Sequence, residues 1–217
     1  FLVASFAVGP LVAVASLSVV PWVVTMPFFG GAIIAATFPA ASSTSSLVRG
    51  RVARLAWGRI LPVLIGVVLV QAGHSPYWAY FAIFLGQNGV SPALTGWVLA
   101  TAIGAEITFM AFAPALLKRV GARRVLLWGM LSAAVRWTVC GVTTELWILW
   151  ISQILHAGSY AMVYVAAVAL VDDVSPANRK SVGQAVLSAC SHGIGLGGGF
   201  ARAGQCFEAL QVNGLMI

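Results

Sequence analysis

Charge is what this sequence has least of. Only 8% of its 217 residues are Asp, Glu, Lys or Arg, only five of these are acidic, and mean hydropathy is +0.97. A soluble domain carries roughly 25% charged residues, so a water-facing surface cannot be built from this chain and an integral membrane protein is expected. Cysteine is scarce as well. Cys140, Cys190 and Cys206 lie in or beside apolar runs with no CxxC or Cys/His ligand spacing, which argues against a disulfide framework and a metal centre. No HExxH, GxSG or paired-Asp motif lies within an apolar run, which leaves intramembrane hydrolysis without a nucleophile and base. No enzyme chemistry and no cofactor are expected. The first apolar run lacks a charged leader, so no signal peptide is read. The chain opens on Phe1, and an upstream part is expected.

What the sequence has in abundance is long apolar runs. Hydrophobic residues make up 60% of it, and the runs are continuous rather than alternating, which fits helices and not the two-residue period of barrel strands. The expected fold is all-α, a polytopic membrane helix bundle of six full spans plus a partial N-terminal one. Residues 1–39 are too long for one span and are interrupted by Pro10, Pro21 and Pro27. They read as the end of an N-terminal bundle, divided near Ser18, with Trp22 to Phe38 as a full span. Residues 40–60, rich in Ser and Arg, read as a linker. Residues 61–200 read as a second bundle with spans at 61–85, 91–117, 125–142, 146–171 and 182–200. Residues 201–217 form a polar tail too short to span, at the interface or disordered, and the chain reads as truncated there.

The net charge of +7 is distributed in a way that excludes a nucleic-acid face. Arg49, Arg51, Arg54 and Arg59 share one connection, Lys118, Arg119, Arg123 and Arg124 a second, Arg179 and Lys180 a third. The intervening connections, around 87–92 and 143–145, hold no Lys or Arg. By the positive-inside rule the basic connections are cytoplasmic. Asp172 and Asp173, beside Arg179 and Lys180, read as a helix-end charge cluster.

Three ionisable residues stand alone in successive apolar runs: Glu106, Arg136 and His156. About 10 to 12 residues of helix at 1.5 Å rise set each of them roughly 15 to 18 Å from its helix start, near the bilayer midplane. A charge at that depth costs about 2.5 to 3.5 kcal/mol on an insertion scale, so the three should face one another. Arg136 is expected to pair with Glu106, either to fix helix register or to bind an anionic group bidentately while Glu106 competes for it. His156 shares a helix face with Gln153 and Tyr160, as a packing histidine or a site residue. Gln71 and His74 lie one turn apart and are expected on the rim of the same cavity. Tyr77, Trp78 and Tyr80 read as interface anchors. His192 ranks below His156. Gly193, Gly195, Gly197, Gly198 and Gly199 allow close helix approach.

The run QAGHSPY from Gln71 to Tyr77, then Gly104-Ala105-Glu106 before a Phe-rich stretch, then Arg136-Trp137, then Gln153 and His156, resembles the C-terminal half of major facilitator transporters. The similarity is strongest to the phenylpropionate permease type, related to lactose permease, and covers about residues 60–200. The basic turn from Lys118 to Arg124 resembles the superfamily's loop motif but lacks its usual acidic residue. The resemblance implies about half of a major facilitator fold and a proton-coupled symporter working by alternating access in a bacterial inner membrane, the alternative being a non-transporting membrane scaffold or an inactive transporter fragment. Glu106, Arg136, His156, Gln153, His74 and Gln71 are then the substrate and proton residues. The implied partners are the bilayer, protons, a small organic solute such as an aromatic carboxylate, and a missing N-terminal half. In lactose permease a carboxylate one turn after the helix histidine takes part in proton transfer; that position is Ser159 here.

Overall fold

The computed structural model describes residues 55–212, with side chains described to residue 205. The expected segments at 1–39 and most of the linker at 40–60 lie outside the described residues. The long apolar runs fold as helices because only an internally bonded backbone tolerates hydrocarbon. In order they are α1 (Trp57–Gln87), α2 (Pro92–Val120), α3 (Ala122–Val142), α4 (Leu146–Val174) and α5, a helical run over 180–212. Among the described residues, α1 to α4 are long and apolar enough to cross a membrane. Helix α5 holds the expected 182–200 span but consists of three shorter pieces, Lys180–Ser188, a π-helix Ala189–Gly197 and Gly198–Val212. It also continues past Phe200 to Val212, so the start of the expected polar tail is helical.

The connections are short and chemically specified. Ser91 caps α2 by accepting from Leu94 N at 3.3 Å, with Pro92 opening the helix. The α2–α3 turn is a single residue, Gly121, at φ 88°, a backbone region that L side chains rarely occupy. At the α4–α5 corner, Lys180 Nζ donates to Asp172 Oδ2 at 2.6 Å, as the helix-end cluster requires.

Helix α4 is not uniform. Gln153, Ile154, His156 and Ala157 donate their amides three residues back instead of four, and a π-helix, Ala157–Met162, follows at once. Such breaks concentrate at functional segments. The carbonyl of Leu155 is satisfied from α3 by Ser132 Oγ at 3.1 Å.

Two apolar clusters define the bundle's ends. One gathers Ile60, Leu64 and Val67 of α1 with Val125 and Leu126 of α3, Val171 of α4 and Leu187 of α5. This is the end that carries the described basic connections. The other gathers Phe81 and Leu85 with Val98 and Leu149. Between them lies a buried polar layer of Gln71, His74, Ser75, Arg136, Gln153, His156, Ser159 and Ser191. Outward-facing Leu61, Leu69, Phe112 and Ile151 are exposed, as a lipid-facing surface demands.

Candidate functional site

Within the polar layer, Arg136 is completely buried. Its Nη2 donates to Gln153 Oε1 at 2.9 Å, and its Nη1 donates to His156 Nδ1 at 3.0 Å and to Ser159 Oγ at 3.5 Å. The guanidinium carbon also lies 4.2 Å from the centre of the Tyr77 ring and 4.6 Å from that of Trp137. Rings at these distances attract a cation through their quadrupoles. The other face of His156 turns to α2, where Nε2 lies 3.6 Å from Glu106 Oε2. Glu106 has a side chain 20% exposed, so the network runs from an accessible carboxylate to a sealed cation.

Five of the six expected residues therefore join one network: Glu106, His156, Arg136 and Gln153 directly, and His74 through Ser159 Oγ, 3.4 Å from its Nε2. The anticipated Glu106–Arg136 ion pair is not formed. His156 of α4 lies between α2 and α3 at this depth, its Nδ1 taken by Arg136 and its Nε2, which has no hydrogen-bond partner among the described residues, turned toward Glu106. Gln71 and His74 are not on a rim, since both are buried. Gln71 instead reaches α5, donating from Nε2 to Ser191 Oγ at 3.2 Å. It can do so because Gly195 brings α5 against α1. A Cβ there would come within 2.9 Å of Gln71 Cβ and 3.0 Å of the Val68 carbonyl.

Tyr77 is the residue the sequence reading assigned elsewhere. It is buried, its hydroxyl donates to Gln153 Oε1 at 3.0 Å, and its ring covers Arg136. A usable signal was the stripe Gln71, His74, Tyr77, three residues apart on one helix. Trp137 and Ser159 were also missed. Tyr160 stacks on His156 with centroids 5.4 Å apart and planes 10° from parallel. His192 is exposed and outside the network, its Nδ1 on Ser188 O at 3.3 Å.

A separate apolar cavity of about 580 Å³ opens between α1, α3 and α5, bordered by Tyr80, Phe84, Gly141 and Arg202, with Tyr77 and Trp137 at its wall. None of the six expected residues lines it.

A helical membrane bundle enclosing a buried layer of ionisable groups belongs to the class of polytopic membrane proteins in which such groups mark solute or ion pathways. Comparison narrows the class: the MFS_1-like family matches residues 1–214, and the chain belongs to that family of major facilitator transporters. A protein of Escherichia coli (strain K12) assigned by name to 3-phenylpropionic acid transport is 34% identical over 101 residues, 46% of this chain and 27% of the relative. A second E. coli protein, assigned by name to nucleoside transport, is 31% identical over 149 residues, 64% of this chain and 35% of the relative. An uncharacterised transporter of Bacillus subtilis (strain 168) is 26% identical over 138 residues, 61% and 34% respectively. The matched part of the chain thus spans about a third of each relative. No solved structure matches it.

Proposed function

We propose that this chain is part of a proton-coupled secondary transporter of a bacterial inner membrane, working by alternating access together with an N-terminal half. The observation that carries this reading is the Glu106–His156–Arg136 network, lying between two apolar clusters with His156 and Arg136 fully buried and Glu106 part-exposed. Hydrogen-bond directions support Glu106 as the proton carrier. His156 Nδ1 is committed to an Arg136 donor, which leaves the Glu106 oxygens as the exposed acceptors to which a proton adds without breaking that bond.

The solute we propose is a small organic molecule, an aromatic carboxylate being the class that a buried arginine among aromatic rings suits best. The relative named for 3-phenylpropionic acid supports this choice. Both terminal nitrogens of Arg136 are engaged by Gln153, His156 and Ser159, while its buried Nε has no hydrogen-bond partner among the described residues. A carboxylate bound bidentately across Nε and a terminal nitrogen would therefore share or displace an α4 partner and link solute binding to α4. The test is uptake of labelled 3-phenylpropionate and labelled uridine by cells expressing the complete gene, with and without a protonophore. Accumulation of 3-phenylpropionate that collapses with the proton gradient is expected. Gradient-dependent accumulation of uridine alone would move the solute class to nucleosides, and accumulation of neither, in cells shown to contain the protein, would favour a membrane scaffold.

A further inference from the structure

The partners of the two buried histidines fix where their protons lie. A guanidinium has only donors, so His156 Nδ1, 3.0 Å from Arg136 Nη1, presents a lone pair. The proton of the neutral ring is then on Nε2, the nitrogen facing Glu106. His74 is in the opposite situation. Its Nδ1 lies 2.8 Å from the carbonyl oxygen of Val70, which only accepts, so Nδ1 carries the proton and the lone pair of neutral His74 is on Nε2. That lone pair faces Ser159 Oγ at 3.4 Å, and the same oxygen accepts from Arg136 Nη1 at 3.5 Å. A hydroxyl has one proton to give. Given to His74, it leaves an oxygen lone pair turned to Arg136.

We propose that Ser159 and His74 are a positioning pair for Arg136, forming a one-way chain of donors from Arg136 through Ser159 and His74 to the Val70 carbonyl. The chain holds the guanidinium toward α4 and α1 and away from Glu106, which accounts for the missing direct ion pair. It requires His74 and His156 to be neutral and in opposite tautomers. The groups around His74 are the rings of Trp137 at 5.0 Å and of His156 and Tyr160 at 5.6 Å, with Arg136 beyond the shared hydroxyl. The competing arrangement is a cationic His74 donating to Ser159, whose proton would turn to the His156 carbonyl oxygen, 3.4 Å away.

The sequence contains three histidines, so nitrogen NMR of the full chain, labelled with ¹⁵N-histidine in lipid bilayers near neutral pH, resolves the question. Signals are assigned by His192→Gln and by His156→Gln. A protonated Nδ1 with a bare Nε2 is expected for His74, and the reverse for His156. In Ser159→Ala the His74 Nε2 resonance should move downfield toward that of a free ring nitrogen, and Ser159→Thr should restore it, while His192 stays in place as a report of intact folding. The same tautomer in both rings, a doubly protonated His74, or an unmoved Nε2 resonance in Ser159→Ala would each overturn the proposal. The wild-type measurement alone decides the tautomers if a variant fails to fold. The relevance of the pair to transport rests on the proposed function, but no substrate enters the measurement, so failed uptake and a failed positioning pair are separate results.

Discussion

Arg136 is held in the middle of a membrane protein with no carboxylate of the described residues in contact. Neutral acceptors on Gln153, His156 and Ser159, and the faces of Tyr77 and Trp137, replace its hydration. A ring face is worth about 2 kcal/mol to a desolvated cation, the same order as the roughly 2.5 to 3.5 kcal/mol charged to an arginine at the bilayer centre. Tyr77 contributes through both its ring and its hydroxyl, and two substitutions separate them. Tyr77→Phe removes one hydrogen bond and should lower stability by about 1 kcal/mol, read as a small fall in thermal midpoint of the purified protein. Tyr77→Ala also uncovers the cation and should fall much further; equal midpoints for the two variants would show that the ring contributes nothing. Glu106, Arg136 and His156 were legible in the sequence because a lone ionisable residue in an apolar run has few explanations. Tyr77 was not, because an aromatic residue in a span is commonly an interface anchor and nothing in one dimension sets its depth relative to Arg136. The route of the network was hidden too, since placing His156 between Glu106 and Arg136 requires knowing how α2, α3 and α4 pack.

Helix α5 shows where periodicity is informative and where it stops. Its five clustered glycines were read together as a close-approach surface, yet only Gly195 and Gly199, four residues apart, face α1 closely. A Cβ at Gly199 would lie 2.8 Å from Ala72 Cα and from its carbonyl oxygen, whereas Gly193 and Gly198 face open space. Gly199→Ala should therefore cost about 1 to 3 kcal/mol through forced separation of the helices, and Gly198→Ala should be neutral or gain slightly in helix propensity. Thermal unfolding of the two variants side by side checks this, and equal behaviour would remove the packing argument. The break in α4 at 153–162 carries one sequence signal, the pair Gly158-Ser159 inside it, but nothing marks where it begins. Neither proline nor a Gly/Ser pair stands at its start, Gln153, and the Leu155 carbonyl within it accepts from Ser132 of another helix.

The membrane class and the described helices followed from hydropathy and from alternate basic connections, because hydrocarbon permits few backbone solutions. The exposed residues Lys118, Arg119, Arg123 and Arg124 flank the α2–α3 turn, at the end of the bundle where Ile60, Val125 and Leu187 cluster. A cysteine introduced at Ser46 or at exposed Arg123 should be labelled only from the cytoplasmic side, and one at Asn88 only from outside; labelling of Ser46→Cys from outside alone would invert the topology. The proton-coupling claim bears on the whole transporter and centres on one atom group. Glu106→Gln keeps the side chain's volume and its polar contact with His156 but cannot carry a proton. The direct measurement is solute accumulation driven by an imposed pH gradient, compared with solute exchange at equilibrium, in vesicles containing the complete transporter. Glu106→Gln is expected to abolish gradient-driven accumulation while exchange persists, and accumulation at the wild-type level in that variant would contradict the account.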